Sequence, residues 1–290
     1  MIDQLRHFVL VAEHGTFTEA ARHAHLSQPA LTGSIRRLED AFDAPLFVRG
    51  RTGASLTAAG ETLLPRARAA IAAVEEGRRA IMEVQGLSRG EVRLGAGATP
   101  CTYLLPPILA GFRARHPGIV LVLYEHTPVE AEDALARGEI DLAIVAAKRG
   151  GDPWLDDELV LVASPELRDA ERAPFVTFRE GASSRTLLDE RFGRPPIAMA
   201  LGSTAAVREH VRAGIGRALI SRHAVASDLA AGRLIELADR RTPVKRAFRI
   251  LHRGVDRLPP ATAALRTLLL SERDRLARSQ RPDRRRARKR

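Results

Sequence analysis

The 290-residue sequence predicts an α/β multidomain protein: an N-terminal winged helix-turn-helix, a long linker helix and a C-terminal α/β region. Three observations carry this prediction. A short helix of small residues turns sharply into a second helix with a polar outer face, and a strand–turn–strand segment follows. A seven-residue apolar repeat comes next. Apolar runs then alternate with helical stretches to about residue 270. With 45% of its residues hydrophobic, the chain has enough apolar side chains for a sizeable core, and its length suits two or three domains.

Leu5, Phe8, Val9, Val11 and Ala12 recur at helical spacing, and Gly15 ends that first helix. Thr16 or Thr18 caps a short helix over 19–24, and a tight turn at 25–27 leads into a third helix over 28–42. Ser27 suits the N-cap, and Pro29 sits in the first turn, where its missing N–H costs nothing. Ala20, Ala21 and Ala24 are small where the helices cross, while Leu26, Leu31 and Ile35 are apolar at the turn and on the inner face. The outer face carries Gln28, Thr32, Arg36 and Arg37. Short polar groups followed by cations suit a helix that enters the major groove of double-stranded DNA by its N-terminus, with arginines reaching phosphates. An ordinary helical hairpin would also show this much. The next segment favours DNA: strands over 46–49 and 54–57 flank a turn, a wing that places Arg49 and Arg51 for the adjacent minor groove or for phosphate.

Charge does not find this segment. Residues 1–60 carry six Lys/Arg and six Asp/Glu, a net of zero. Residues 61–90 add +1, residues 91–270 add +3 and the last twenty residues add +7 of the total +11. The excess therefore sits in a polar basic tail, 271–290, expected to be disordered. All but Lys148, Lys245 and Lys289 of the 46 basic residues are arginine, a bias that nucleotide composition explains as readily as binding.

From 57 to about 84 the pattern is helical. Leu63, Ala67, Ala70, Val74, Gly77, Ile81 and Val84 repeat every seven residues, a coiled-coil seam that favours self-association over a helix lying on its own protein. Alanine and glycine on the seam bury little, Pro65 should bend the helix near its start, and 86–90 form a hinge. Beyond it, strands are expected at 92–95, 119–124, 140–145, 159–162, 175–178, 197–201, 217–220 and 248–251. Helices are expected at 101–115, 128–137, 184–192, 204–213, 222–230 and 260–278. Such alternation implies βαβ units and a mostly parallel sheet, with ligand at the strand ends. Two strand-to-helix junctions offer glycines, hydroxyls and free N–H groups suited to a small acid: Gly95, Gly97, Thr99, Cys101 and Thr102, then Gly202, Ser203 and Thr204.

The SQPAL, RRLE, LFVR and LTAAG blocks closely resemble the LysR-type transcriptional regulators, and the resemblance continues to within the last ~15–20 residues. It implies that Ser27, Gln28, Pro29, Thr32, Arg36, Arg49 and Arg51 face DNA. It also implies a C-terminal effector-binding domain of two subdomains, like periplasmic binding proteins, with Thr99, Thr102, Thr127, Ser203 and Thr204 near an effector in the cleft. Gly33 departs from the family, which usually has arginine or another long polar side chain there. Arg217 departs too, standing where a small apolar residue is common; it is read as an extra cation near the cleft or a surface side chain. The resulting layout is 1–60 for DNA, 61–90 for linker and hinge, and 91–270 for effector. The last divides into subdomain I at about 91–162 plus 266–275 and subdomain II at about 163–265. The implied partners are promoter DNA with dyad symmetry, a small-molecule effector, RNA polymerase and a second copy of the chain, as dimer or tetramer.

An enzyme fused to a DNA-binding segment would need a nucleophile–base or metal constellation. No zinc spacing and no Gly-x-Ser-x-Gly elbow occur, so no catalytic residue, metal or cofactor is expected. A purely architectural DNA binder conflicts with the long α/β pattern. Cys101, the single cysteine, allows no internal disulfide and reads as a thiol sensor or a small apolar filler. With no signal peptide and no apolar run of membrane-spanning length, a cytoplasmic, nucleoid-associated protein is expected.

Overall fold

The computed structural model describes residues 1–50, 53–84 and 90–279. They form two compact units, one built on Met1–Met82 and one that holds Glu83–Leu135 and the chain from Ile140 onward.

In the first unit, α1 (Ile2–His14) ends on Gly15, whose left-handed backbone (φ 68°) closes the helix as a glycine cap does. Thr16 caps α2 (Phe17–His23) by accepting from the Glu19 N–H. Ser27 caps α3 (Gln28–Phe42) by accepting from the Ala30 N–H at 3.3 Å. Leu5, Phe8, Val11, Phe17, Ala20, Ala21, Leu31, Ile35 and Leu38 close the core between the three helices. Leu26 does not join it; it is 38% exposed at the turn. The wing pairs β1 (Phe47–Gly50) with β2 (Gly53–Leu56) in antiparallel register. One carboxylate, Glu39, accepts from the Leu46 N–H (2.8 Å) and the Phe47 N–H (3.3 Å), which ties the wing to α3. Phe47 then packs against Phe8 and Phe17, with ring centroids 5.3 and 5.7 Å apart.

Helix α4 (Ala58–Val84) starts from Thr57, whose hydroxyl accepts from the Gly60 N–H. The sevenfold seam divides in use. Ala67 is buried in this unit's own core with Leu63 packed beside it, while Ala70, Val74, Gly77 and Ile81 are exposed. Ion pairs Arg6–Glu75 and Arg68–Glu13 hold α4 against α1. Apart from Gly90, the expected hinge lies outside the described residues.

The second unit is built from two parallel sets. Strands β3 (Gly90–Ala96), β4 (Ile119–Glu125) and β5 (Leu142–Ala146) are joined through α5 (Leu105–Arg115) and α6 (Pro128–Arg137) and pair in parallel around β3. Strands β7 (Phe175–Phe178), β8 (Ile197–Leu201) and β9 (Ala218–Ser221), joined through α7 (Ser183–Phe192) and α8 (Thr204–Arg212), form the second set. There β8 pairs with β7, and a bridge joins Phe175 to Arg217 beside β9. The expectation of a mostly parallel sheet fails where strands are not entered from a helix. β6 (Asp152–Ala163) and β11 (Val244–Leu251) are paired antiparallel to each other; β11 also runs antiparallel to β5, and β6 antiparallel to β9 and to the short β10 (Ile235–Glu236). A helical crossover is what reverses the chain between parallel neighbours, and neither β6 nor β11 has one before it. Both strands are longer than the sequence pattern suggested, and they stitch the two sets together.

Helix α9 (Arg222–Ala230) covers the second set. Helix α10 (Pro260–Ser279) returns to the first set: Ala261, Leu265 and Leu269 enter its core, Trp154 donates to the Leu269 carbonyl at 2.9 Å, and Arg266 grips Asp152. Residues 271–279 continue this helix, in agreement with the helix expected to 278 and against the disorder expected from 271, and 280–290 lie outside the described residues. No helix among the described residues is long and apolar enough to cross a membrane.

Gly60 meets the wing so closely that an added Cβ would stand 2.3 Å from the Leu46 carbonyl oxygen and 2.9 Å from Leu56. Gly60→Ala is expected to destabilise the N-terminal unit by about 1–3 kcal/mol through overpacking. A lowered midpoint in urea unfolding of the full chain is the measurement.

Candidate DNA interface and effector cleft

The outer face of α3 follows from its burial pattern. Leu31, Ser34, Ile35 and Leu38 point inward; Gln28, Pro29, Arg36 and Arg37 are exposed, and Thr32 is half-buried. Ser34 earns its inward place through a 2.7 Å hydrogen bond with His7, whose imidazole is held below its ordinary value by burial, with Arg37 and Arg6 adding to the effect and Asp3 opposing it. Ser27 serves first as the cap of α3, so its hydroxyl is partly committed. Arg49 lies on β1 in register with Ala54. Arg51 falls outside the described residues. The wing itself is pinned to the helices: the Ala54 N–H donates to the Gly15 carbonyl at 2.7 Å, and a Cβ on Gly53 would stand 2.4 Å from that same oxygen.

Other arginines of the unit have acidic partners: Arg6 with Asp3 and Glu75, Arg22 with Glu19, Arg68 with Glu13 and Arg78 with Glu75, while Arg66 donates to the Thr62 carbonyl. Arg36 and Arg37 make no ion pair among the described residues, although Asp40 lies within one turn. Over residues 1–42 the arginines without an acidic partner among the described residues are thus the two on the outer side of α3.

The second site lies at the carboxyl ends of both parallel sets, where open α/β sheets place ligands. The backbone segments leaving β3, β4, β7 and β8 each turn into a helix there, so four helix N-termini converge, those of α6 and α8 carrying side-chain caps. The cleft encloses a cavity of about 50 Å³, lined among others by Gly97, Thr99, His126, Thr127, Ser183, Gly202, Thr204 and Arg246. That is space for a few waters or for the head of a small acid.

Arg246 organises the floor. Its side chain is 7% exposed and faces Asp157, which is fully buried. Nε donates to Asp157 at 2.8 Å, Nη1 to the hydroxyls of Ser183 (2.8 Å) and Ser184 (3.0 Å), and Nη2 to Thr99 (3.0 Å). The other Asp157 oxygen accepts from Ser221 at 2.7 Å. One guanidinium thereby joins the helix start after β3 to that after β7. Nearer the mouth, Arg179 spans to Glu130 at 3.3 Å, and burial pushes the neighbouring Glu125 carboxyl upward against the pull of Arg179.

Among the expected cleft residues, Thr99, Thr127, Gly202 and Thr204 line the cavity. Thr127 and Glu130 form a reciprocal capping box on α6. Ser203 is exposed and caps α8. Thr204 is 3% exposed, and its hydroxyl has no partner among the described residues. Cys101 and Thr102 lie elsewhere: the short π-helical turn Pro100–Leu104 rotates Thr102 to the surface and packs Cys101 against the core of the first set. Burial pushes the Cys101 thiol upward, with Glu125 adding to it, so it behaves as an apolar filler. Gly95 makes room for His126 and Ile140. Arg217 stacks on Phe175 at 4.4 Å and donates to the Glu171 carbonyl, outside the cleft lining. The sequence reading missed Arg246 and Asp157, because it placed the start of both strands too late and left these residues in loops. Their signal was a charged pair inside runs of strand-forming residues, DDELVLV and VKRAFRIL.

Residues 2–61 match the family described as "Bacterial regulatory helix-turn-helix protein, lysR family", and residues 85–274 match "LysR substrate binding domain". The chain is 31% identical over 288 residues to the RuBisCO operon transcriptional regulator of Allochromatium vinosum, covering 93% of this chain and 95% of that protein. It is 30% identical over 286 residues to the HTH-type transcriptional regulator CfxR of Cupriavidus necator, covering 92% and 90%. Its fold is similar to full-length LysG of Corynebacterium glutamicum with bound effector Arg, at a TM-score of 0.66 and 21% identity, covering 95% and 98%.

Removing one partner of the floor pair strands a buried charge. Arg246→Met is expected to cost about 3–5 kcal/mol, and adding Asp157→Leu should recover most of it. Urea unfolding of the single and double variants measures the difference.

Proposed function

The chain belongs to the LysR family of transcriptional regulators, and on that premise we propose that it docks α3 in the major groove of a dyad-symmetric promoter site and answers to a small acid held in its cleft. The observation that carries the DNA half is the outer face of α3, where Arg36 and Arg37 stand uncompensated beside exposed Gln28 and half-buried Thr32. The wing, with Arg49 and Arg51, reaches the flanking groove or phosphate. Two-fold sites call for a two-fold protein. The exposed remainder of the α4 seam, Ala70, Val74, Gly77 and Ile81, is the self-association surface of this reading, in a dimer or tetramer. RNA polymerase is the partner through which bound protein would change transcription, and the cytoplasm, at the nucleoid, is where it would act.

The convergence of four helix N-termini supports an anionic effector, because helix-end N–H groups carry partial positive charge and the start of α7 has no side-chain cap. Arg246 is matched by Asp157, so this residual field is set more by helix ends than by a free cation. Thr204, buried with an unpartnered hydroxyl, supplies a further contact.

Electrophoretic mobility shift of duplex DNA from upstream of the chain's own gene tests the first half. Selective retardation at physiological salt is expected, and Arg36→Ala should weaken it by about 1–3 kcal/mol if that side chain reads a base. Binding no tighter than to unrelated duplex would overturn the reading. For the second half, a thermal-shift series of small carboxylic and phosphorylated acids should raise the melting temperature with one chemical class. Thr204→Val should reduce that rise while leaving the ligand-free melting temperature close to the parent's, since the hydroxyl it removes has no partner.

A further inference from the structure

Position 33 is the gap in the recognition face. Gly33 lies on the outward side of α3 between Thr32 and Arg36, and it offers no side chain to a duplex. The space is not empty. A Cβ built on Gly33 would lie 3.6 Å from Nη1 of Arg37, one turn further along the helix, and would meet nothing else within 4 Å. Arg37 therefore lies back across Gly33.

Two physical facts give that contact a direction. Side chains on an α-helix lean toward its N-terminus, so a residue at i+4 covers the surface above residue i. The N-terminal turns of a recognition helix are those that reach base edges, whereas cations further along usually meet phosphate. Arg37 starts at the phosphate end of α3 and leans toward the base end. Any side chain at 33 larger than a methyl group would occupy its path. Arg37 is also exposed, and it forms no ion pair with Asp40 three residues on or with any other acid among the described residues. Its guanidinium is consequently free to present two parallel N–H groups to an acceptor pair such as O6 and N7 of guanine.

We infer that Arg37 is a base-reading residue of this protein, delivered to the major groove across the side-chain-free surface of Gly33. It takes the place of the long side chain that a residue at 33 would otherwise supply. Because its reach begins one turn later, the base pair it contacts is displaced from the one that a side chain at 33 would touch. The inference rests on α3 being the recognition helix.

Selection of full-length protein on duplexes with a randomised core, followed by sequencing, tests it. The parent protein, Arg37→Ala and Gly33→Ala are run in parallel. Arg37→Ala should lose discrimination at one dyad-related pair of base positions by about 5- to 100-fold while keeping the rest of the motif. It should melt with the parent, because the side chain is exposed. Gly33→Ala should keep the parent motif, since a Cβ at 3.6 Å is an ordinary contact. An unchanged motif in Arg37→Ala overturns the inference; a uniform loss over all sequences, with a salt slope shallower by about one, would assign Arg37 to phosphate instead. Loss of the preference in Gly33→Ala also overturns it, because the surface of Gly33 itself would then approach the duplex. Absence of any motif with the parent protein overturns the reading of α3, and this inference with it.

Discussion

Arg246 and Asp157 stand directly opposite each other on β11 and β6, the two antiparallel strands shared by both halves of the effector unit. Taking two charges out of water is costly, and it is tolerated here because each group is saturated: the guanidinium by Asp157, Thr99, Ser183 and Ser184, the carboxylate by Arg246 and Ser221. The pair thereby sets the spacing between helix starts that belong to different parallel sets. Thr99 on one side and the first residues of α7 on the other are held to a common cation. The geometry of the cleft is a consequence of that arrangement more than of any single lining residue.

The same logic, with the sign reversed, operates in the N-terminal unit. There the charges that matter are the ones left without partners. Arg6, Arg22 and Arg68 are consumed by intramolecular pairs, of modest value individually at a protein surface. Among the described residues Arg36 and Arg37 take no acidic partner, on a helix whose outer face also carries Gln28 and Thr32. With a net charge of zero over residues 1–60, general attraction to phosphate is weak, so binding must draw on the placement of a few groups and on two-fold geometry. Glu39, Gly53 and Gly60 serve this indirectly: Glu39 ties the wing to α3 by hydrogen bonds, while Gly53 closes on the Gly15 carbonyl and Gly60 brings α4 against Leu46 and Leu56, in contacts too close for a Cβ.

Cleft-lining residues were legible in the sequence where chemistry and local structure coincide. Hydroxyls and glycines at strand-to-helix junctions pointed to Thr99, Gly202 and Thr204, and the family resemblance added Thr127; all four line the cleft. Cys101 and Thr102 show the limit of that rule. They occupy the same junction, but a single π-helical turn sends one into the core and the other to solvent. Arg246 and Asp157 were hidden for a different reason. They lie 89 residues apart, and no local pattern announces that two strands will be neighbours.

By itself the sequence determined what depends on short-range periodicity and capping: the three N-terminal helices with the Ser27 cap and a choice of Thr16 or Thr18, which the structure settles on Thr16, the wing, the long α4 and the βα alternation. It also identified the lineage, because family blocks such as SQPAL and LTAAG are contiguous. Tertiary structure alone decided the direction of β6 and β11 and the division of the α4 seam between internal packing and exposed surface. Strand direction depends on how the chain returns across many residues, and burial depends on which neighbour arrives. Neither is encoded in the spacing of residues along one element.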